Sequence, residues 1–300
     1  MYSSKVNPRN FQISMKEINR ATQNFSSTNS VDKFNKIYRG QLSESWGNHT
    51  VVIIKRRYLD IIYKTMGGLS EALKIATSFH HENIITFIGY CFEGDEIFKV
   101  QEYAINGSLH DYLGDKNKMR ELTWAQRLKI CIGAARGLKH LHDGRVIHRE
   151  FSCHAILLYE NLEAKITKFG NSAFVSENQP TIQDGTYSSK LDPLYKESEI
   201  YNLESDVYSY GLVLFEMLSG ISCVSEKLMY YVRQYYDDDL LDKLIDPSIE
   251  DEIDNHSFRK FVEIAYKCVS LDIKDRPTMD GIIKTLEEVL EIQVSIFQNI

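Results

Sequence analysis

Two short stretches of this 300-residue chain set several chemistry-bearing side chains close together. In the first, Val146-Ile147-His148-Arg149-Glu150-Phe151-Ser152-Cys153-His154-Ala155-Ile156-Leu157-Leu158, a histidine, an arginine and a carboxylate stand side by side. Glu150 is able to accept a hydroxyl proton, as a general base does. The second, Ile166-Thr167-Lys168-Phe169-Gly170, offers a cation. An ammonium has donors only and cannot act as a metal ligand. Lys55 supplies another cation at the end of a β-branched run, and Ser172, Ser176, Thr181, Thr186, Tyr187, Ser188 and Ser189 make residues 171–194 rich in hydroxyls.

The elements that must carry these residues follow from periodicity. Ser14-Met15-Lys16-Glu17 reads as a capping box, with Ile18, Ala21 or Thr22, and Phe25 on one helical face. Thr50-Val51-Val52-Ile53-Ile54-Lys55 and Phe98-Lys99-Val100-Gln101-Glu102-Tyr103 suit sheet strands. Up to Tyr103 the chain is mainly β with one intervening helix, and beyond it the helical period takes over. Thr123-Trp124-Ala125-Gln126 is a second capping box, followed by an apolar face of Leu128, Cys131, Ile132, Ala135, Leu138 and Leu141 up to Gly144. Residues 207–218 are apolar almost all round, as in a core helix ended by Gly220. Phe261, Ile264, Ala265, Cys268 and Leu271 form another face, and Ile282, Ile283, Leu286, Val289 and Leu290 the last.

Bulk properties narrow the function classes. With 43% hydrophobic residues the chain can bury a large core, and 42 acids against 35 Lys plus Arg leave a net charge of −7. That charge disfavours a nucleic-acid or anionic-membrane binder, since no dominant basic field offsets phosphate repulsion. Asp237-Asp238-Asp239 reads as a solvated loop or helix start. Five widely spaced cysteines suggest neither a disulfide framework nor a C-x-x-C zinc site, and so a reduced, intracellular setting. No apolar signal core opens the sequence, and its most hydrophobic stretch, residues 210–224, is interrupted by Glu216, Ser219 and Gly220, so no membrane span is expected.

Eight landmarks in order carry a family resemblance: Ile37-Tyr38-Arg39-Gly40, Lys55, His81-Glu82-Asn83-Ile84, Ile88-Gly89-Tyr90-Cys91, Asn106-Gly107-Ser108-Leu109, His148-Arg149, Ser205-Asp206-Val207-Tyr208-Ser209-Tyr210-Gly211, and Asp275-Arg276-Pro277-Thr278-Met279. Together they resemble the kinase region of plant receptor-like kinases over nearly the whole chain. The resemblance implies an α+β bilobal protein-kinase fold, with a small β-rich N-lobe and a larger, mainly helical C-lobe. The expected division is an N-terminal extension with a short helix (1–28), the N-lobe (29–103) and the C-lobe (104–300).

Position by position, the resemblance puts the catalytic loop H-R-D-[LV]-K-x-x-N on residues 148–155. Glu150 then stands at the base position, one methylene longer than aspartate. Ser152 replaces the lysine that contacts the transferring phosphate, and Ala155 replaces a metal-binding asparagine. Lys168 takes the place of the metal-binding aspartate of D-F-G. The three glycine positions of the phosphate loop hold Ser30, Asp32 and Asn35. The nucleotide pocket would comprise Lys55, Ile37, Ile53, Tyr103 and Leu157, with Ile53 crowding the adenine roof. The partner glutamate of Lys55 maps to Ala72, with Glu71 about 100° around the helix. Arg149, Thr181, Thr186 and Tyr187 are the regulatory positions; in active relatives this arginine binds a phosphorylated activation segment. His148, Asp206 and Arg276 are structural. Leu194 stands where Arg276 normally meets a glutamate, so Arg276 is expected to find a substitute acid.

The resemblance therefore implies a pseudokinase acting as an adaptor or regulator in receptor-like kinase signalling, the alternative being a weak or unconventional Ser/Thr protein kinase. No cofactor or metal is expected, and any ATP binding should be weak and independent of Mg²⁺. The expected partner is an active receptor-like kinase or another signalling protein, with no nucleic acid. The expected location is the cytoplasm, including the inner face of the plasma membrane through a partner.

Overall fold

The computed structural model describes residues 8–32, 36–57, 68–183, 192–221 and 227–297. An antiparallel sheet forms the small lobe, in the order β1-β2-β3-β5-β4. Its strands are β1 (Ser30–Asp32), β2 (Ile37–Gln41), β3 (Thr50–Arg57), β4 (Phe87–Glu93) and β5 (Glu96–Glu102). The tight connection from β4 to β5 places Gly94 at φ +56°, a left-handed conformation that costs glycine little because it has no Cβ.

Helix α1 (Met15–Thr22) precedes the sheet and lies on its outer face. Its Ile18 and Ala21 share a core with Ile13, Leu42, Val51, Ile53, Cys91, Phe98 and Val100. The Ser14 side chain accepts from Glu17 N, as a cap should. The reciprocal half of the expected box is spent elsewhere: the Glu17 carboxylate accepts from the Arg20 guanidinium at 2.8 Å and from Ser43 N at 2.7 Å. Glu17 thus fastens α1 to the β2–β3 connection. The chain ahead of α1 also packs tightly, with Ile13 N donating to Tyr90 O. A Cβ on Gly89 would stand 2.5 Å from Phe11 O, so only glycine allows this approach.

Helix α2 (Gly68–Ser78) covers the other side, where Leu73 packs with Phe87, Tyr90 and Ile97. The large lobe contains α3 (Leu109–Leu113), α4 (Lys116–Arg120), α5 (Trp124–Asp143), α6 (Pro193–Ser198), α7 (Leu203–Ser219), α8 (Lys227–Asp237), α9 (Asn255–Cys268) and α10 (Met279–Phe297). The Thr123/Gln126 capping box opens α5, and α7 is buried over most of its length before Gly220 ends it at φ +66°. One residue of the expected α9 face departs from it: Leu271 lies beyond the last turn and is 60% exposed. Asp237, Asp238 and Asp239 are exposed. Among the described residues no helix is long and apolar enough to cross a membrane.

Three short antiparallel ladders hold the chemistry-bearing loops. β6 (Val146–Ile147) pairs with β9 (Ala173–Phe174), β7 (Ile156–Leu158) with β8 (Ala164–Ile166), and β10 (Ile182–Gln183) with β11 (Ile200–Tyr201). Residues 148–155 and 167–172 are therefore two adjacent loops, each tethered at both ends.

Candidate functional site: a kinase-like cleft with altered chemistry

Asp206 organises the first loop from the buried N-terminal turn of α7. Its carboxylate accepts from His148 N at 2.6 Å and Arg149 N at 2.9 Å, and its Oδ2 lies 3.1 Å from His142 Nε2. His148 reaches the second loop, with Nε2 2.8 Å from Thr167 O and Nδ1 accepting from Glu150 N at 3.3 Å. That pattern requires the neutral Nε2–H tautomer, and burial pushes the imidazole below its usual range, keeping it neutral. Asp206 and His148, which tie the loops together, thus fulfil a structural role in this geometry. Arg276 does so as well: its guanidinium meets Asp192 through two 3.0 Å bonds, Nη1 to Oδ2 and Nη2 to Oδ1, and donates to Glu204 O and Ser270 O. The substitute acid lies two residues before Leu194.

The positions normally responsible for transfer hold different groups. Glu150 faces the cleft, and its Oε2 accepts from Asn171 Nδ2 at 2.8 Å. Ser152 adopts an extended backbone and opens the turn Cys153–Ala155. Ala155 is fully buried and its backbone bonds to Ser152 and Thr167, so its small side chain is part of the core. Lys168 is exposed, takes a left-handed φ of +69°, and makes no ion pair among the described residues. Neither the Ala155 nor the Lys168 side chain carries an oxygen, so these two side chains do not fit Mg²⁺.

Strand register corrects the expected nucleotide pocket. β3 pairs with β5 so that Lys55 faces with Phe98 and Ile53 with Val100, on the outer side covered by α1. Lys55 Nζ is 2.6 Å from Glu96 and about 5.6 Å and 5.5 Å from the ring centres of Phe25 and Phe98. Side chains alternate along a strand, so the residue on the cleft side is Arg56. Ile53 likewise packs into the outer core, away from the cleft. Of the other pocket positions, Ile37 pairs with Ile54, Tyr103 lies under the Arg39 guanidinium at 4.8 Å, and Leu157 sits in β7.

None of these five residues lines the cleft of about 440 Å³ between the sheet, α2 and the two loops. Its walls include Ile54, Ala72, Leu73, Gln101 and Phe169, with Arg56, Lys99, Lys168 and Glu150 as its charges. Ala72 does face this space, while Glu71 accepts from Phe174 N at 3.0 Å, and among the described residues no lysine–glutamate pair bridges β3 and α2. Desolvation and the neighbouring Arg56 push the Lys99 ammonium below the usual lysine range, with Glu150 acting against them. Desolvation also lowers Arg56, opposed by the carboxylate of Asp32. Asp32 therefore acts on a protein cation at the place where the phosphate loop usually carries glycine.

Sequence reasoning passed over Arg56, Lys99, Asn171 and Asp192. Lys99 carried a signal, a charged residue within an apolar strand, and Asp192 was the nearest acid to Leu194. Arg149 is buried with its guanidinium 4.8 Å from the Tyr201 ring, and Thr181 immediately precedes β10. Asn35, Thr186 and Tyr187 lie outside the described residues.

A five-stranded small lobe, a helical large lobe and a cleft bordered by two ladder-tethered loops define a protein-kinase fold. The chain belongs to the protein tyrosine and serine/threonine kinase family, which it matches over residues 29–286. It is similar to two Arabidopsis thaliana proteins, receptor-like protein kinase HERK 1 (34% identical over 97% of this chain and 36% of that protein) and receptor-like protein kinase FERONIA (34% over 96% and 33%). The chain thus spans about a third of the length of these curated relatives.

Proposed function

We propose that this domain is a pseudokinase that works by docking, as an adaptor or regulator of an active receptor-like kinase or other signalling protein. The observation that carries the reading is the pair of metal-ligand positions, where a core alanine, Ala155, and an ammonium, Lys168, stand. Phosphoryl transfer depends on ions that bridge and neutralise the phosphates, and these side chains supply no ligand for them. The outward rotation of Lys55 and the separation of Glu71 from β3 support the same reading. Likeness to receptor-like kinases favours a place in that signalling system, on the cytoplasmic side and at the plasma membrane through a partner. Incubating purified protein with radiolabelled ATP in Mg²⁺ and Mn²⁺ series tests it: no γ-phosphate transfer is expected to the chain or a generic protein substrate. Transfer that disappears in Glu150→Gln or Lys99→Met overturns the proposal.

One observation favours the runner-up, a weak Ser/Thr kinase without metal chelation: among the described residues three cations, Arg56, Lys99 and Lys168, border the cleft against one carboxylate, Glu150. Under that reading ATP raises the melting temperature equally with and without Mg²⁺. The docking reading expects no shift in either condition.

A further inference from the structure

The tyrosine-rich end of α8 runs into the acidic stretch Asp237-Asp238-Asp239. Asp239 takes a left-handed φ of +55°, and Leu240 N donates back to Tyr235 O at 2.7 Å, so the helix stops there. A groove of about 790 Å³ opens between this end of α8, residues 239–253 and α9. It shares no wall residue with the cleft. Its floor is an outlying part of the large-lobe core: Leu241 and Val262 are buried, while Ile245, Ile253 and Phe258 pack against that core and stay partly exposed.

Tyr236 forms one wall. Its ring lies flat on that of Tyr266 in α9, with centres 3.4 Å apart and planes 2° apart, and 41% of the residue is exposed. A ring fixed on one face and open to solvent elsewhere is a stacking platform that loses little rotamer freedom when it is used. The rim is acidic. Asp239, Asp242 and Glu250 are exposed and make no ion pair among the described residues. Glu263 is already paired with Lys267, and Lys260 with Glu288, so these lysines of α9 do not offset the three acids. Lys243 lies over the ring of Tyr235 and is not a wall residue, and Arg259 is the one cation among the described walls. Three uncompensated carboxylates around an apolar floor favour a cationic occupant and repel an acidic one. Arginine fits better than lysine, because a planar guanidinium both stacks on a ring and meets a carboxylate through two parallel hydrogen bonds.

We propose that this groove docks an arginine-bearing segment of a partner protein, its guanidinium groups meeting Tyr236 and the carboxylates of Asp239 and Asp242, and an adjoining apolar side chain seated on Ile253 and Phe258. The proposal rests on the docking reading and gives it a partner chemistry. Phosphate transfer is measured at the cleft and peptide capture at the groove, so the two readings fail separately.

Fluorescence anisotropy of a short fluorescein-labelled peptide, a leucine flanked by arginines, titrated with the full chain at low salt tests the groove. A saturable rise is expected, weakened by added salt because the rim charges are exposed. Replacing the peptide's arginines by glutamates should abolish it, and replacing its leucine by serine should weaken it. Tyr236→Ala should weaken binding about tenfold and Asp239→Asn combined with Asp242→Asn about fivefold. Glu93→Gln, at an exposed acid of the small lobe, should leave it unchanged. Circular dichroism checks folding, and the exposed aspartate variant carries the test if Tyr236→Ala does not fold. No binding by the parent, equal binding of the glutamate or serine peptide, or parental affinity in both groove variants overturns the assignment. So does a dimer in sedimentation equilibrium that Tyr236→Ala dissociates, since the groove would then belong to a second copy of this chain.

Discussion

Arg276 and Asp192 are both buried, and each would be an uncompensated charge without the other. Removing one partner of such a pair costs about 3–5 kcal/mol, because the remaining ion keeps its desolvation penalty. Asp192→Ala should therefore lower the urea midpoint by that amount of stability, and a loss below about 1 kcal/mol would contradict a buried pair. Lys55 presents the opposite case. Its pairing with Glu96 is partly exposed at both ends, so Lys55→Met is expected to cost no more than about 1 kcal/mol. Any nucleotide-dependent melting shift should respond to Arg56→Met or Lys99→Met and be indifferent to Lys55→Met. Sequence alone identified Lys55 by residue type, and type cannot decide which side of a strand a residue faces. With a period of two, a slip of one residue reverses every side chain. Here the outer face offers Lys55 the rings of Phe25 and Phe98 and the carboxylate of Glu96, and that long-range environment was invisible locally.

Helices were legible where a cap and an apolar stripe coincided. Thr123 with Gln126 opens α5 as the sequence indicates, because both reciprocal bonds lie within four residues. The ladders were less so: β6, β9, β10 and β11 are two residues long each and depend on partners far along the chain. In α1 the same local rule gave the cap and missed its completion, since Ser43 takes the Glu17 oxygen. The Arg20 hydrogen bond, aided by Ser43, lowers the Glu17 pKa from 4.5 to about 2. A depressed carboxylate stabilises the fold fully above its unfolded value and loses that contribution as pH falls through the folded value. The stability difference between parent and Glu17→Gln should be full above about 4.5 and gone near 2, measured by denaturant titration across pH. A difference independent of pH would show that the charge is immaterial. Cutting Ile18, fully buried on the inner face of the same helix, to alanine should cost about 2–5 kcal/mol.

At the scale of the whole molecule, the bonds that anchor the loops and the side chains that line the cleft can be considered apart. Asp206 and His148 tie the two loops to the large lobe and Arg276 pairs with Asp192 beside α7, while position 155 holds a core alanine and position 168 an exposed ammonium. The order of landmark peptides made the bilobal fold readable, because each peptide reports a local packing need. The groove between α8 and α9 was not readable, since its walls run from Tyr236 to Glu263 and only tertiary folding joins them. The small lobe bears on any docking role. Its outer sheet surface is roofed by residues 13–25, so under the docking reading that face is closed to a partner. Clipping the chain after Phe25 would bare Val51, Ile53 and Val100 to water and leave a small lobe prone to self-association.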